Sequence, residues 1–269
     1  MGKVRDVVAK GHSWREAGDP QAMTVVFLHG LGGSRLSWEP QLANLSQSYR
    51  CVAWDLPGYG HAAPLPCASV GFTDLAAAVV ALLDELDVEQ VHLVGISFGG
   101  MIAQYVAAWY PTRVRSLALL ATSPAFGLDG TSPDAWRAAR IAPLDEGQEP
   151  IEFSDKVLRA IAGPNVSDEA LAGQQLAMAE VSGSELRRSI DCLVTHDSRP
   201  LLGQISAPTI CIVGALDTET PPAYADALAA GITGAHCVVL PRAGHLINVE
   251  DPVGVNDALI AHFARAEQR

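Results

Sequence analysis

The 269-residue chain has no apolar run near the roughly 18 residues that a membrane span requires. Its opening MGKVRDVVAK lacks the apolar core of a signal peptide, and Asp6 stands where a myristoylation pattern needs Ser or Thr. Cations are scarce: 18 Lys and Arg against 30 Asp and Glu leave a formal net charge of -12. Nucleic acid and anionic membrane both bind basic surfaces, so neither is expected as a partner. Blocks of like charge are missing as well, and the acidity reads as a solvating surface. No CxxC pair occurs among Cys51, Cys67, Cys192, Cys211 and Cys237. Three of them (Cys51, Cys211 and Cys237) sit in or beside apolar runs, where cysteine behaves as a small core residue. There is no low-complexity segment and no repeat at a fixed period. The expectation is a soluble cytoplasmic protein with reduced thiols, a monomer or homodimer.

What is present is a rhythm of short apolar runs and amphipathic segments. TVVFLHG (24–30), CVAWD (51–55), VHLVGI (91–96), SLALLAT (116–122), TICIVG (209–214) and HCVVLP (236–241) read as buried strands. Between them, residues 72–87 place Leu75, Val79, Leu82, Leu83 and Leu86 on one helical face. Residues 98–111 read as a helix ended by Pro111, and two more helices follow near the C-terminus. Continuous apolar strands alternating with helices predict a parallel sheet covered on both faces.

One region breaks the rhythm. Residues 123–199 hold no convincing strand and read as four short helices, with Ser154, Ser167 and Ser184 at N-cap positions. We expect a helical cap over 123–199, inserted into a core formed by 1–122 and 200–269.

The chemistry starts at Gly95-Ile96-Ser97-Phe98-Gly99, where a serine between glycines follows a strand and opens a helix. Such a turn strains the serine and aims its hydroxyl above a helix N-terminus, which favours developing negative charge. A packing turn would be the bland alternative. A serine nucleophile needs a base, and the base needs an orienting acid. Of eight histidines, His245 sits in a short loop after the last strand, beside Gly244. Asp217 lies three residues beyond another strand end, with Glu219 as a rival and an N-capping role as its alternative. Ligands of open parallel sheets bind outside the carboxyl ends of the strands, where all three residues emerge. The oxyanion requires two preorganised amides, expected from Phe98 and from Leu31, with Gly32 as the alternative to Leu31. The glycines of HGLGG (29–33) let this backbone approach closely, and His29 is expected to fix the loop. No Lys-Ser/Thr follows them, so a phosphate-binding loop is not expected.

HGLGGS, WDLPGYGHAAP, GISFGG, the aspartate at 217 and GHLINVEDP, in this order, resemble the α/β-hydrolase family across nearly the whole chain. The elbow and C-terminal segments are similar in particular to 3-oxoadipate enol-lactonases and carboxylesterase-like relatives. The resemblance implies a mostly parallel eight-stranded sheet flanked by helices, with a four-helix lid after the sixth strand. It also implies a cofactor-independent serine hydrolase of a small ester or lactone, with no metal. Two features depart from the lactonase pattern: His29-Gly30 is kept in the oxyanion loop, and Ala62 ends Gly58-Tyr59-Gly60-His61-Ala62. C–C bond hydrolysis of ring-cleavage products and amide hydrolysis use the same triad, and a non-catalytic small-molecule receptor uses the same fold. For substrate contacts we expect Gly30, Arg35, Trp38, Phe126, Trp136 and Arg137, with Arg140 a further cation for a substrate carboxylate.

Overall fold

The computed structural model describes residues 4–268. Residues 1–3 and 269, at the edges of the expected core, lie outside the described residues. Eight strands form one sheet in the order β1-β2-β4-β3-β5-β6-β7-β8. They are β1 (Arg5–Ala9), β2 (His12–Ala17), β3 (Thr24–Leu28), β4 (Arg50–Trp54), β5 (Val91–Ile96), β6 (Val114–Leu120), β7 (Thr209–Gly214) and β8 (His236–Leu240). β2 runs antiparallel to β1 and β4, and every pairing from β4 to β8 is parallel.

The six apolar runs are β3 to β8. The β1–β2 hairpin was not legible in composition: β1 is half exposed and both strands carry charged residues. Its two-residue turn places Lys10 at φ 45° and Gly11 at φ 84°, the twist that suits a tight hairpin.

Strand residues alternate between two cores. Val26, Leu28, Leu93, Leu117 and Val213 face α2 (Phe72–Glu85), α3 (Phe98–Trp109) and α8 (Pro222–Gly231). Phe27, Val94, Ile96, Ala118 and Ile212 face α1 (Glu39–Leu45) and α10 (Pro252–Glu267). Every residue of β3, β5 and β7 is buried. These strands therefore have no solvent face, as the continuous apolar runs require.

Between β6 and β7 the chain makes α4 (Pro133–Asp145), α5 (Pro150–Ile161), α6 (Asp168–Met178) and α7 (Gly183–Leu193). Ser167 caps α6 as expected. Ser154 does not cap α5, which starts four residues earlier at Pro150; its buried hydroxyl donates to Ile151 O instead. The cap of α7 is Ser182 rather than Ser184. Pro150 at the first helical position explains the earlier start, since its fixed φ suits that place. Among the described residues no helix is long and apolar enough to cross a membrane, and all five cysteines are free thiols.

Candidate active site

Ser97 lies between β5 and α3 at φ 52° and ψ -119°, a left-handed conformation that L side chains rarely adopt. The surroundings hold it there. Its amide donates to Leu120 O at 2.9 Å, and the Thr122 hydroxyl donates to its carbonyl at 2.8 Å. A Cβ on Gly99 would lie 2.1 Å from Leu28 O, and one on Gly95 2.4 Å from Gly99 O. Only glycine at both places lets α3 start against β3 and β5.

His245 and Asp217 come to the same point from the ends of β8 and β7. His245 Nε2 is 3.0 Å from Ser97 Oγ, and His245 Nδ1 is 2.9 Å from Asp217 Oδ2. The carboxylate accepts the Nδ1–H, which leaves Nε2 as the acceptor for the serine hydroxyl. Asp217 Oδ1 accepts from the Glu219 and Thr220 amides, both at 2.9 Å, and Thr220 Oγ1 donates to Oδ2 at 2.8 Å. Burial pushes the Asp217 carboxyl up, but the charge and hydrogen bond of His245 and the Thr220 donors outweigh it and hold the pKa below the ordinary carboxylate value. Burial likewise opposes charging of His245, and Asp217 more than offsets this, so the imidazole titrates above its ordinary range. Glu219 makes no bond to His245; its carboxylate takes Arg140 Nη2 at 2.9 and 3.1 Å.

The glycine-rich loop after β3 closes on itself through the Gly33 amide and Gly30 O at 3.0 Å. His29, fully buried, pins it from below. Its Nδ1–H donates to Gly30 O at 2.8 Å, and its Nε2 accepts the Leu56 amide at 3.1 Å. Burial pushes the His29 pKa down to about 4, so this ring stays neutral. Among the described residues, neither the Leu31 nor the Phe98 amide donates to a protein acceptor. Both are therefore free to take an oxyanion.

Glu250 is a residue that sequence reasoning missed. Its carboxylate accepts the amides of Gly244 at 2.8 Å, Leu246 at 2.9 Å and Gly163 at 2.9 Å. It thus braces the His245 loop on both sides and ties it to the end of α5. Its place five residues after His245 was the only signal available.

A cavity of about 660 Å³ opens over Ser97 and His245, lined by the glycine-rich loop and by all four helices between β6 and β7. Of the residues named from the sequence, Gly30, Leu31, Trp136 and Arg140 are placed along its lining. Four other expected contacts are not. Arg35 is buried elsewhere, its guanidinium 3.0 Å from Asp55, 2.9 Å from Glu180 and 3.3 Å from Asp6. Trp38 is fully buried against Phe27. Arg137 points away to Asp191 at 2.5 Å, and Phe126 packs edge-on behind Trp136. Acid partners claim the two arginines, and packing against other aromatic rings claims Trp38 and Phe126. Arg140 is itself engaged, by Glu219 and by the Trp136 ring 5.0 Å away.

Residues 24–149 match the family model described as the alpha/beta hydrolase fold. The chain is 31% identical over 258 residues to BpoC of Mycobacterium tuberculosis, whose name proposes a non-heme bromoperoxidase; 92% of this chain and 94% of that one are covered. It is 28% identical to 3-oxoadipate enol-lactonase 2 of Acinetobacter baylyi, covering 97% and 95%. The crystal structure of the enol-lactonase from Burkholderia xenovorans LB400 superposes with a TM-score of 0.82 at 25% identity, covering 97% of this chain and all of that one.

Proposed function

The chain belongs to the α/β-hydrolase fold family, and from that premise we propose that it is a cofactor-independent serine hydrolase of a small carboxylic ester or lactone. The observation that carries this reading is the unbroken hydrogen-bonded series Asp217–His245–Ser97 opening into a cavity.

Ser97 Oγ attacks the substrate carbonyl while His245 Nε2 takes its proton. The Asp217 carboxylate keeps the other proton on Nδ1 and stabilises the imidazolium that forms. The Leu31 and Phe98 amides receive the developing oxyanion, and Gly30, with no side chain beside Ser97, leaves room for it. His245 then protonates the departing oxygen, and the alcohol leaves an acyl group on Ser97. Water, deprotonated by the same Nε2, releases the acid and regenerates the serine. The helices of 123–199 act as the lid: they form the cavity roof and keep bulk water from the acyl-enzyme.

The relatives named above carry the names of an enol-lactonase and a non-heme bromoperoxidase, two different reactions on one fold. Water is favoured here by the enol-lactonase likeness. The test is turnover of a para-nitrophenyl ester by the purified protein. Sustained turnover that disappears in Ser97→Ala supports the reading; a rate retained by that variant sinks it.

A further inference from the structure

The acyl transfer proposed above leaves one wall of the cavity unused. Much of the lining is apolar, supplied by Trp136, Leu186, Ile190 and Leu193. Where α6 packs on the 3₁₀ turn Arg35–Trp38, the lining instead carries Ser37, Gln174 and Asn248. All three are more than nine-tenths buried, at 4%, 8% and 2% exposure. Polar side chains are costly in such a place unless their hydrogen bonds are made.

Their bonds are half made. Ser37 O accepts Asn248 Nδ2 at 2.7 Å and Gln174 Nε2 at a long 3.5 Å. A carbonyl takes only donors, so both side-chain nitrogens face it and both amide oxygens are turned from it. Neither Asn248 Oδ1 nor Gln174 Oε1 accepts a protein hydrogen bond among the described residues, and neither is sealed from solvent. Ser37 Oγ accepts the Ser34 amide at 3.3 Å, which leaves its own proton to give. The three residues offer two acceptors and one donor, with no charge.

The position of the group matters as much as its chemistry. Ser37 stands on the turn that continues from the oxyanion loop, and Asn248 stands three residues beyond His245 on α9 (Ile247–Glu250). Gln174 comes from the middle of α6. The polar wall is thus built from the two loops of the reacting centre and closed by one cap helix.

We propose that Ser37, Gln174 and Asn248 form a subsite for a hydroxyl on the acyl part of the substrate, making hydroxyacyl esters the preferred class. A hydroxyl donates one bond to an amide oxygen and accepts one from Ser37 Oγ–H, matching both halves of the wall. An ammonium could only donate and would find no carboxylate among the three. A carboxylate would face two amide oxygens. The proposal rests on the serine-hydrolase reading.

The test compares kcat/KM for para-nitrophenyl β-hydroxybutyrate and para-nitrophenyl butyrate, in the wild type, Gln174→Met and Asn248→Leu. The leaving group is common to both esters, so the ratio reports the acyl side alone. The wild type should favour the hydroxy ester by about tenfold, the worth of one net hydrogen bond. Both variants should bring the ratio close to one, with the change carried by KM where the bond is equally strong in the ground state. Equal use of the two esters by the wild type overturns the subsite, as does an unchanged preference in both variants. Turnover of neither ester overturns the hydrolase reading, and this proposal with it. Circular dichroism of each variant separates a lost subsite from a lost fold, and Gln174→Met, on a cap helix outside the sheet core, is the variant that decides.

Discussion

Asp217 binds His245 with one carboxylate oxygen at 2.9 Å, while its other oxygen is occupied by the Glu219 and Thr220 amides. The acid therefore cannot turn away from the imidazole, and the proton on Nδ1 has one place to be. His245 is active as a base only when Nε2 is free, so activity should rise with pH through its folded pKa. Asp217 holds that pKa above 6.5. The acid limb of kcat/KM should accordingly lie above 6.5 for the wild type. In Asp217→Asn, turnover should drop by as much as ~10⁴, on the pattern of serine-protease triads. An unchanged rate in that variant would place the orienting acid elsewhere.

Ser97 pays in backbone strain for its position. Glycine has no Cβ to clash at φ 52°, so Ser97→Gly should be more stable than Ser97→Ala by about 1 kcal/mol. Both should be inactive. Thermal denaturation of the pair reads the strain directly, and equal Tm values would show that the elbow is relaxed.

Two glycines beside the elbow should behave differently. A methyl at Gly99 would meet Leu28 O at 2.1 Å, which leaves no room between α3 and β3, so Gly99→Ala should fail to fold or lose several kcal/mol. A methyl at Gly30 meets Ser97 Cβ at 3.4 Å and Oγ at 3.9 Å, which is ordinary contact. Gly30→Ala should fold with a Tm near the wild type and lose ester turnover, because the methyl stands beside the nucleophile. Loss of fold in Gly30→Ala, or a stable Gly99→Ala, would contradict these geometries.

Arg35 is a structural cation. Its partner Asp55 is fully buried and accepts the Arg35 amide at 2.7 Å and the Ser13 hydroxyl at 2.7 Å as well. Arg35→Met leaves that carboxylate without its countercharge, and about 3–5 kcal/mol of stability should go with it. Chemical denaturation measures the loss. A change below 1 kcal/mol would mean that the pair is dispensable.

Buried neutral histidines set the acid limit. Burial pushes the pKa of both His29 and His196 down to about 4 from 6.5. The unfolded chain binds protons on these rings below 6.5, whereas the folded chain does not until near 4. Stability therefore falls as pH drops through that window, by an order of 3 kcal/mol for each ring. Tm should decline steeply between pH 6.5 and 4, and His196→Gln should flatten part of the slope. A flat profile would mean that these rings are protonated in the fold.

The reacting centre was legible because each of its residues follows a largely apolar strand. Ser97, Asp217 and His245 follow β5, β7 and β8, and a parallel sheet delivers such ends to one edge. The cavity wall was legible only in part: Gly30, Leu31, Trp136 and Arg140 line it, and other named residues do not. Arg35 and Trp38 lie within eight residues of Gly30 in sequence, yet their side chains belong to Asp55 and Phe27. Nothing local distinguishes a cation that faces a pocket from one buried beside an acid far along the chain. Gln174 and Asn248 were invisible for the same reason, since they meet only through Ser37 O. The hairpin β1–β2 escaped because a half-exposed edge carries too few apolar residues to mark a period.

The long excursion between β6 and β7 also orders events in time. β3, β5 and β6 can pair as the chain's first half collects, so the elbow of Ser97 is available early. Leu117 meets Thr209 only after the whole helical segment has been gathered into a closed loop. Closing a long loop costs entropy that must be met before its contacts return any. Asp217 and His245 both lie beyond that closure, so on refolding the nucleophile should exist before its base, and activity should be the last property to recover.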